Sequence, residues 1–191
     1  MHQLLTLRYK WYFWAFAIGM PLLIGGVFQL TKILLSDHTL DGSVPFYAFF
    51  MIIFSSILFG GLEEIGWRGF LQERLMNGQS IILIATFIGL IWGLWHSPLF
   101  FIEGVSHYAF DFLPFLLGAI LFSTFPTWLY AKTRNLILPI LFHASINASA
   151  TIGLRLVFKH SILNYTLILL FIALGYALLY RSQSPLESTA G

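Results

Sequence analysis

The chain has 191 residues, 58% of them hydrophobic and 9% charged, with a formal net charge of +2 and a mean hydropathy of +0.83. A soluble domain is about 25% charged, so a water-soluble globule is excluded and an all-α, polytopic transmembrane bundle is expected. So few charges do not suit a nucleic-acid partner, and the absence of cysteine removes disulfides, thiolate catalysis and cysteine-ligated metals.

Six stretches carry the roughly 20 apolar residues that a membrane-crossing helix needs: Trp11–Leu30, Val44–Leu62, Ile81–Ile102, Phe112–Ala131, Leu136–Val157 and Ile162–Tyr180. The first follows Arg8 and Lys10 without a small-residue cleavage site, which reads as a retained anchor rather than a signal peptide. The second ends on two adjacent acids, Glu63 and Glu64. Gly66 to Leu75 then reads as an interfacial amphipathic helix, with Phe70, Leu71 and Leu75 on its apolar side. Its Arg68, Gln72, Glu73 and Arg74 are expected to reach water or headgroups. The third stretch holds His96, followed by Ser97-Pro98, where the backbone bonding is expected to open. The fifth holds His143 and Asn147, with Pro139 one turn earlier expected to bend the helix.

Connections are short, so residues 1–191 form one integral-membrane domain with a catalytic core at about 44–157 and a polar, disordered tail at 181–191. If the N-terminus is cytoplasmic, Arg8, Lys10, Arg68, Arg74, Lys132, Arg134 and Arg181 lie inside. Lys32, Arg155 and Lys159 lie outside, a split of seven against three that follows the positive-inside rule and puts both termini in the cytoplasm.

An ionisable group in a span costs a few kcal/mol, about 2.5–3.5 on insertion scales, which makes it a functional candidate. Glu64 and Arg68 are four apart and face each other on a helix, acid first. Glu63 points about 100° away. The pair reads as a structural clamp, leaving Glu63 to face a cavity and take a proton from water. The plainer alternative is an interfacial charge cluster that stops insertion.

For His96 the choice is between a water-activating or metal-binding imidazole and a buried ring satisfied by a carbonyl. His143 and Asn147, again four apart, share a helix face and can both donate to an oxygen that gains negative charge. One such donor is worth about 3–4 kcal/mol of barrier, whereas interhelical polar glue averages about 0.6 kcal/mol. His2, His38, His107 and His160 fall in termini or loops, where solvent exposure accounts for them.

Taken together, these residues resemble the CAAX protease and bacteriocin-processing intramembrane endopeptidases, also called the Abi or CPBP family. Glu63-Glu64-Ile65-Gly66-Trp67-Arg68 looks like the family's Glu-Glu-x-x-x-Arg motif. Trp92-Gly93-Leu94-Trp95-His96 is similar to its aromatic-and-histidine motif, with Trp where Phe is common. His143-Ala144-Ser145-Ile146-Asn147 matches its His-x-x-x-Asn motif. The resemblance implies a glutamate-dependent peptidase without a cofactor. Glu63 and His96 would activate water, His143 and Asn147 would hold the oxyanion, and Glu64 and Arg68 would organise the site. About six spans, against eight in the eukaryotic prenyl-protein members, implies a smaller chamber.

Partners expected are membrane lipid and a peptide or protein substrate, either a prenylated chain or a leader peptide, in the plasma membrane of a prokaryote. One alternative is a zinc peptidase drawing ligands from Glu63, Glu64, His96 and His143, with water in the open position. Another is a non-catalytic immunity or scaffold protein.

Overall fold

The computed structural model describes residues 9–36, 44–45, 47–154, 156, 159 and 161–183, and among them every regular element is helical. His2, Arg8, Asp37, His38, Asp41, Arg155, Val157, His160 and the tail from 184 onward lie outside the described residues.

In chain order come α1 (Trp11–Ser36) and α2 (Ala48–Ser56), then two π-helical segments, Ile57–Gly61 and Ile65–Gln72, the second running into α3 (Glu73–Leu75). They are followed by α4 (Ile81–Trp95), α5 (Phe112–Thr133), α6 (Ile137–Thr151) and α7 (Ile162–Gln183). Two 3₁₀ turns, Ser97–Phe101 and Ser106–Ala109, link α4 to α5.

Four helical stretches are long and apolar enough to cross a membrane: Trp11–Leu35, Ile81–Phe101, Phe112–Thr133 and Ile162–Ser182. A fifth crossing results if Ala48–Gly61 and Ile65–Leu75, bent by 45°, are one broken span. The remaining expected span is α6, whose 15 residues stop at Thr151 rather than Val157. Gly153, at φ 91°, turns the chain there. At the other end, α7 carries helix past Arg181 to Gln183, where tail was expected.

The bundle is organised around α5, which is buried on nearly every side from Pro114 to Thr133. It packs against α4, α6 and α7. Lipid tails are as apolar as leucine, so helices associate through close packing rather than hydrophobic burial. Small residues permit this: a Cβ on Gly89 of α4 would stand 2.6 Å from the Ile120 Cα of α5. Large apolar side chains such as Leu23, Phe54, Leu83, Leu169 and Leu170 face outward, as a lipid-facing surface requires. The chain is an integral membrane protein.

Two sequence expectations are corrected here. Arg68 and Gln72 do not reach water: they are 4% and 0% exposed and turn into the bundle. Partners on α5 draw them inward, because Gln72 Nε2 donates to the Thr127 carbonyl at 3.0 Å and Arg68 to Ser123. Pro139 does not bend α6, because the helix begins at Ile137 and Pro139 lies in its first turn. A backbone N–H there has no helical partner to lose.

Candidate active site

The site starts from a broken helix. Phe59 (φ −101°, ψ 63°) and Gly60 (φ 134°, ψ −51°) leave helical geometry within the first π-helical segment, Ile57–Gly61. Gly60 occupies a backbone region that side chains avoid, and it does so against the site itself. A Cβ there would stand 2.6 Å from Asn147 Nδ2 and 3.2 Å from His143 Nε2. Unwinding also frees the Phe59 carbonyl, which accepts a hydrogen bond from Asn147 Nδ2 at 3.3 Å.

Glu63 follows the break. Its Oε2 accepts from two indoles, Trp67 Nε1 at 3.3 Å and Trp92 Nε1 at 3.1 Å. Both bonds use one oxygen, so Oε1 is left to take up a proton. His96 terminates α4, and its Nδ1 lies 2.8 Å from the Trp92 carbonyl. A carbonyl only accepts, so Nδ1 carries the proton and the neutral ring keeps its lone pair on Nε2. Trp92 therefore serves both residues, one through its ring and one through its backbone.

His143 is held from the opposite side, with Nδ1 2.8 Å from Glu64 Oε1. Its Nε2 then accepts in the neutral ring and donates in the protonated one. One cavity of about 420 Å³ is lined by Glu63, His96, His143 and Asn147, together with Gly60 and His107. The four residues expected to act are thus gathered on one space from α4, α6 and the broken second helix.

Glu64 and Arg68 lie behind that wall. Arg68 Nη1 stands 2.9 Å from Glu64 Oε1 and 2.7 Å from Oε2. Its Nη2 donates to both the carbonyl and the hydroxyl of Ser123 at 3.1 Å. Further hydrogen bonds offset the cost of burying an ion pair; here His143 bonds Glu64 and Ser123 bonds Arg68 Nη2, while Arg68 Nε is buried without a hydrogen-bond partner.

The zinc alternative would draw on Glu63 and on Nε2 of His96 and His143, since Nδ1 of each ring is engaged. Among the described residues no three of His, Asp or Glu are gathered as metal ligands would be. Both oxygens of Glu64 already face the Arg68 guanidinium.

Residues 45–149 match the family model described as Rce1-like, Type II CAAX prenyl endopeptidase Rce1-like. The chain belongs to this family. It is 31% identical over 121 residues to CAAX prenyl protease 2 of Methanococcus maripaludis, covering 59% of this chain and 45% of that relative. The chain therefore spans less than half the length of the curated relative it matches. In this Rce1-like chain the matched region contains the whole of the cavity wall except Leu156, Ala150 and Thr151.

Four members of this arrangement are absent from the site expected from the sequence. Gly60 was announced only by the Gly60-Gly61 pair inside an apolar run. Trp67 stands four residues after Glu63, so the spacing that pairs Glu64 with Arg68 also marks it as a partner of Glu63. Ser123 is one of several small polar residues on α5. His107, assigned above to solvent, is instead half-buried beside His96, the two rings stacked with centroids 5.5 Å apart.

Proposed function

We propose that this chain is a metal-independent intramembrane endopeptidase that hydrolyses a peptide bond near the cytoplasmic leaflet. The observation that carries the reading is the gathering of Glu63, His96, His143 and Asn147 on one cavity inside a helical bundle. Family membership supports a peptide or protein substrate, and the name of the matched relative adds the prenylated class to the candidates.

Water bound between Glu63 Oε1 and His96 Nε2 attacks the scissile carbonyl, and Glu63 takes its proton. The carbonyl oxygen becomes the oxyanion and is held by Asn147 Nδ2 and by Nε2 of the protonated His143, with Glu64 as counter-charge. Glu63 then returns the proton to the departing amine, so the residues end as they began. Walls that exclude bulk water strengthen each of these interactions. The charge pattern of the connections supports cytoplasmic termini in a prokaryotic plasma membrane; a reporter fused at Gly191 that reads as exterior overturns this orientation.

The decisive experiment incubates purified protein in liposomes with prenylated carboxyl-terminal peptides and double-glycine leader peptides, with products read by mass spectrometry. A product formed by wild type, unaffected by metal removal and lost in Glu63→Ala, is the expected result. A product that Glu63→Ala forms equally well overturns the mechanism. If no peptide is cut, the choice is between a substrate outside this panel and the scaffold reading.

Gly60→Ala supplies a second check. The added methyl meets Asn147 and His143 at a φ that alanine avoids, so both oxyanion donors must shift. Displacing reacting groups by an ångström can cost on the order of 100-fold. We expect kcat to fall by about that factor, and the variant's melting temperature shows whether the fold is retained.

A further inference from the structure

Of the three imidazoles on the cavity wall, His107 is the one to which the proposed mechanism gives no task. It sits on the 3₁₀ turn Ser106–Ala109, in a loop folded back over the end of α4. The loop is tied down by its own backbone, Val105 N–H to the Ile102 carbonyl at 3.3 Å and Phe110 N–H to the His107 carbonyl at 2.9 Å. Three phenylalanines fix the ring edge-on: Phe100 at 5.6 Å, Phe110 at 5.4 Å and Phe115 at 5.1 Å. Its flat face lies on His96 with an interplanar angle of 27°. Its Nδ1 is buried without a hydrogen-bond partner.

From the other side, His96 meets the Trp92 ring at 5.0 Å and 72°. Its Nδ1 is already given to the Trp92 carbonyl. With one face covered by His107 and one nitrogen bonded, Nε2 is the polar atom of His96 that remains for the cavity. We propose that His107 is a positioning residue of this site, its imidazole laid flat on His96 so that His96 keeps a single orientation and tautomer, with Nε2 turned to the water. This rests on the reading that His96 acts on that water.

Two stacked imidazoles tolerate one positive charge between them. Burial first, and the neighbouring charge of His96 second, hold His107 below the ordinary imidazole value. His107 therefore presents an uncharged ring face to His96. The other ionisable groups on the elements around His107 are Glu63 and His143 across the cavity, Glu103 and Tyr108 in the same loop, and Asp111 at the N-cap of α5, which stands 3.5 Å from Lys159. His96 is the group whose charge bears on His107.

The test uses the full chain in lipid nanodiscs with ¹⁵N-labelled histidine, comparing wild type with His107→Ala, His107→Phe and His107→Arg. With His96 neutral, wild type and His107→Phe are expected to show it locked as the Nδ1–H tautomer, and His107→Ala to show an averaged one. In His107→Arg a fixed positive charge stacks on His96 and moves its titration to lower pH, by about one pH unit. A packing role alone would not produce that shift. In peptide turnover, His107→Ala is expected to lose about tenfold in kcat with little change in KM, and His107→Phe to recover most of it.

A locked tautomer in His107→Ala, or an unmoved titration in a folded His107→Arg, overturns the proposal. Because the spectra need no substrate, they decide it even if no peptide is cleaved. That last outcome would remove the proposed function and leave the ring geometry decided separately.

Discussion

Glu63→Gln is expected to lower kcat by about 10²–10⁴-fold, the range that general-base catalysis contributes, and to leave stability nearly unchanged. The reason lies in how Glu63 is bound. Both indole N–H groups donate to Oε2, and an amide oxygen can accept those bonds as a carboxylate oxygen does. What glutamine cannot do is take a proton from water. The substitution thus separates holding from reacting at one position. A loss near 1,000-fold corresponds to about 4 kcal/mol of barrier. Turnover within tenfold of wild type, measured on any peptide the protein cuts, would mean that another group removes the proton.

Arg68→Ala should have the largest effect on stability. Removing one partner of a buried pair leaves the other charge stranded, at a cost of about 3–5 kcal/mol. Here the stranded group is Glu64, 2% exposed and still bonded to His143. The same substitution cuts the tether between the second, broken helix and Ser123 of α5. Unfolding in detergent should show the loss directly. Turnover should fall as well, since Glu64 is then free to move and carries His143 with it. Glu64→Gln with Arg68→Met, which removes both charges, should cost less than the two single changes added together. Strict additivity would show that the two side chains do not act as a pair.

Sequence reading reached whatever a single helix encodes. The membrane class follows from apolar runs, the Glu64–Arg68 pair from a separation of four, and the shared face of His143 and Asn147 from the same rule. Contacts between helices have no such signature. The bond from His143 to Glu64 joins residues 79 apart, and nothing local predicts it. Arg68 and Gln72 show the same limit. Their polarity suggested headgroups, whereas carbonyls and a hydroxyl on α5 offered partners inside the bundle. Pro139 was read as a bend because the start of α6 could not be placed from an apolar run. His107 sits in a loop whose aromatic neighbours become neighbours only when the loop folds over α4.

The length of α6 has a consequence for depth. Its 15 residues rise roughly 22 Å at about 1.5 Å each, against a hydrocarbon layer about 30 Å thick. If its longer neighbours span that layer, at least one end of α6 stops within it. Bare chain at such a level must be shielded by protein, and Gly25 of α1 supplies that shield by lying against the Leu154 carbonyl. His143 and Asn147, two of the four residues proposed to act, therefore ride on a strut that does not reach both surfaces, and the longer helices around it would set how far below the headgroups the proposed hydrolysis takes place.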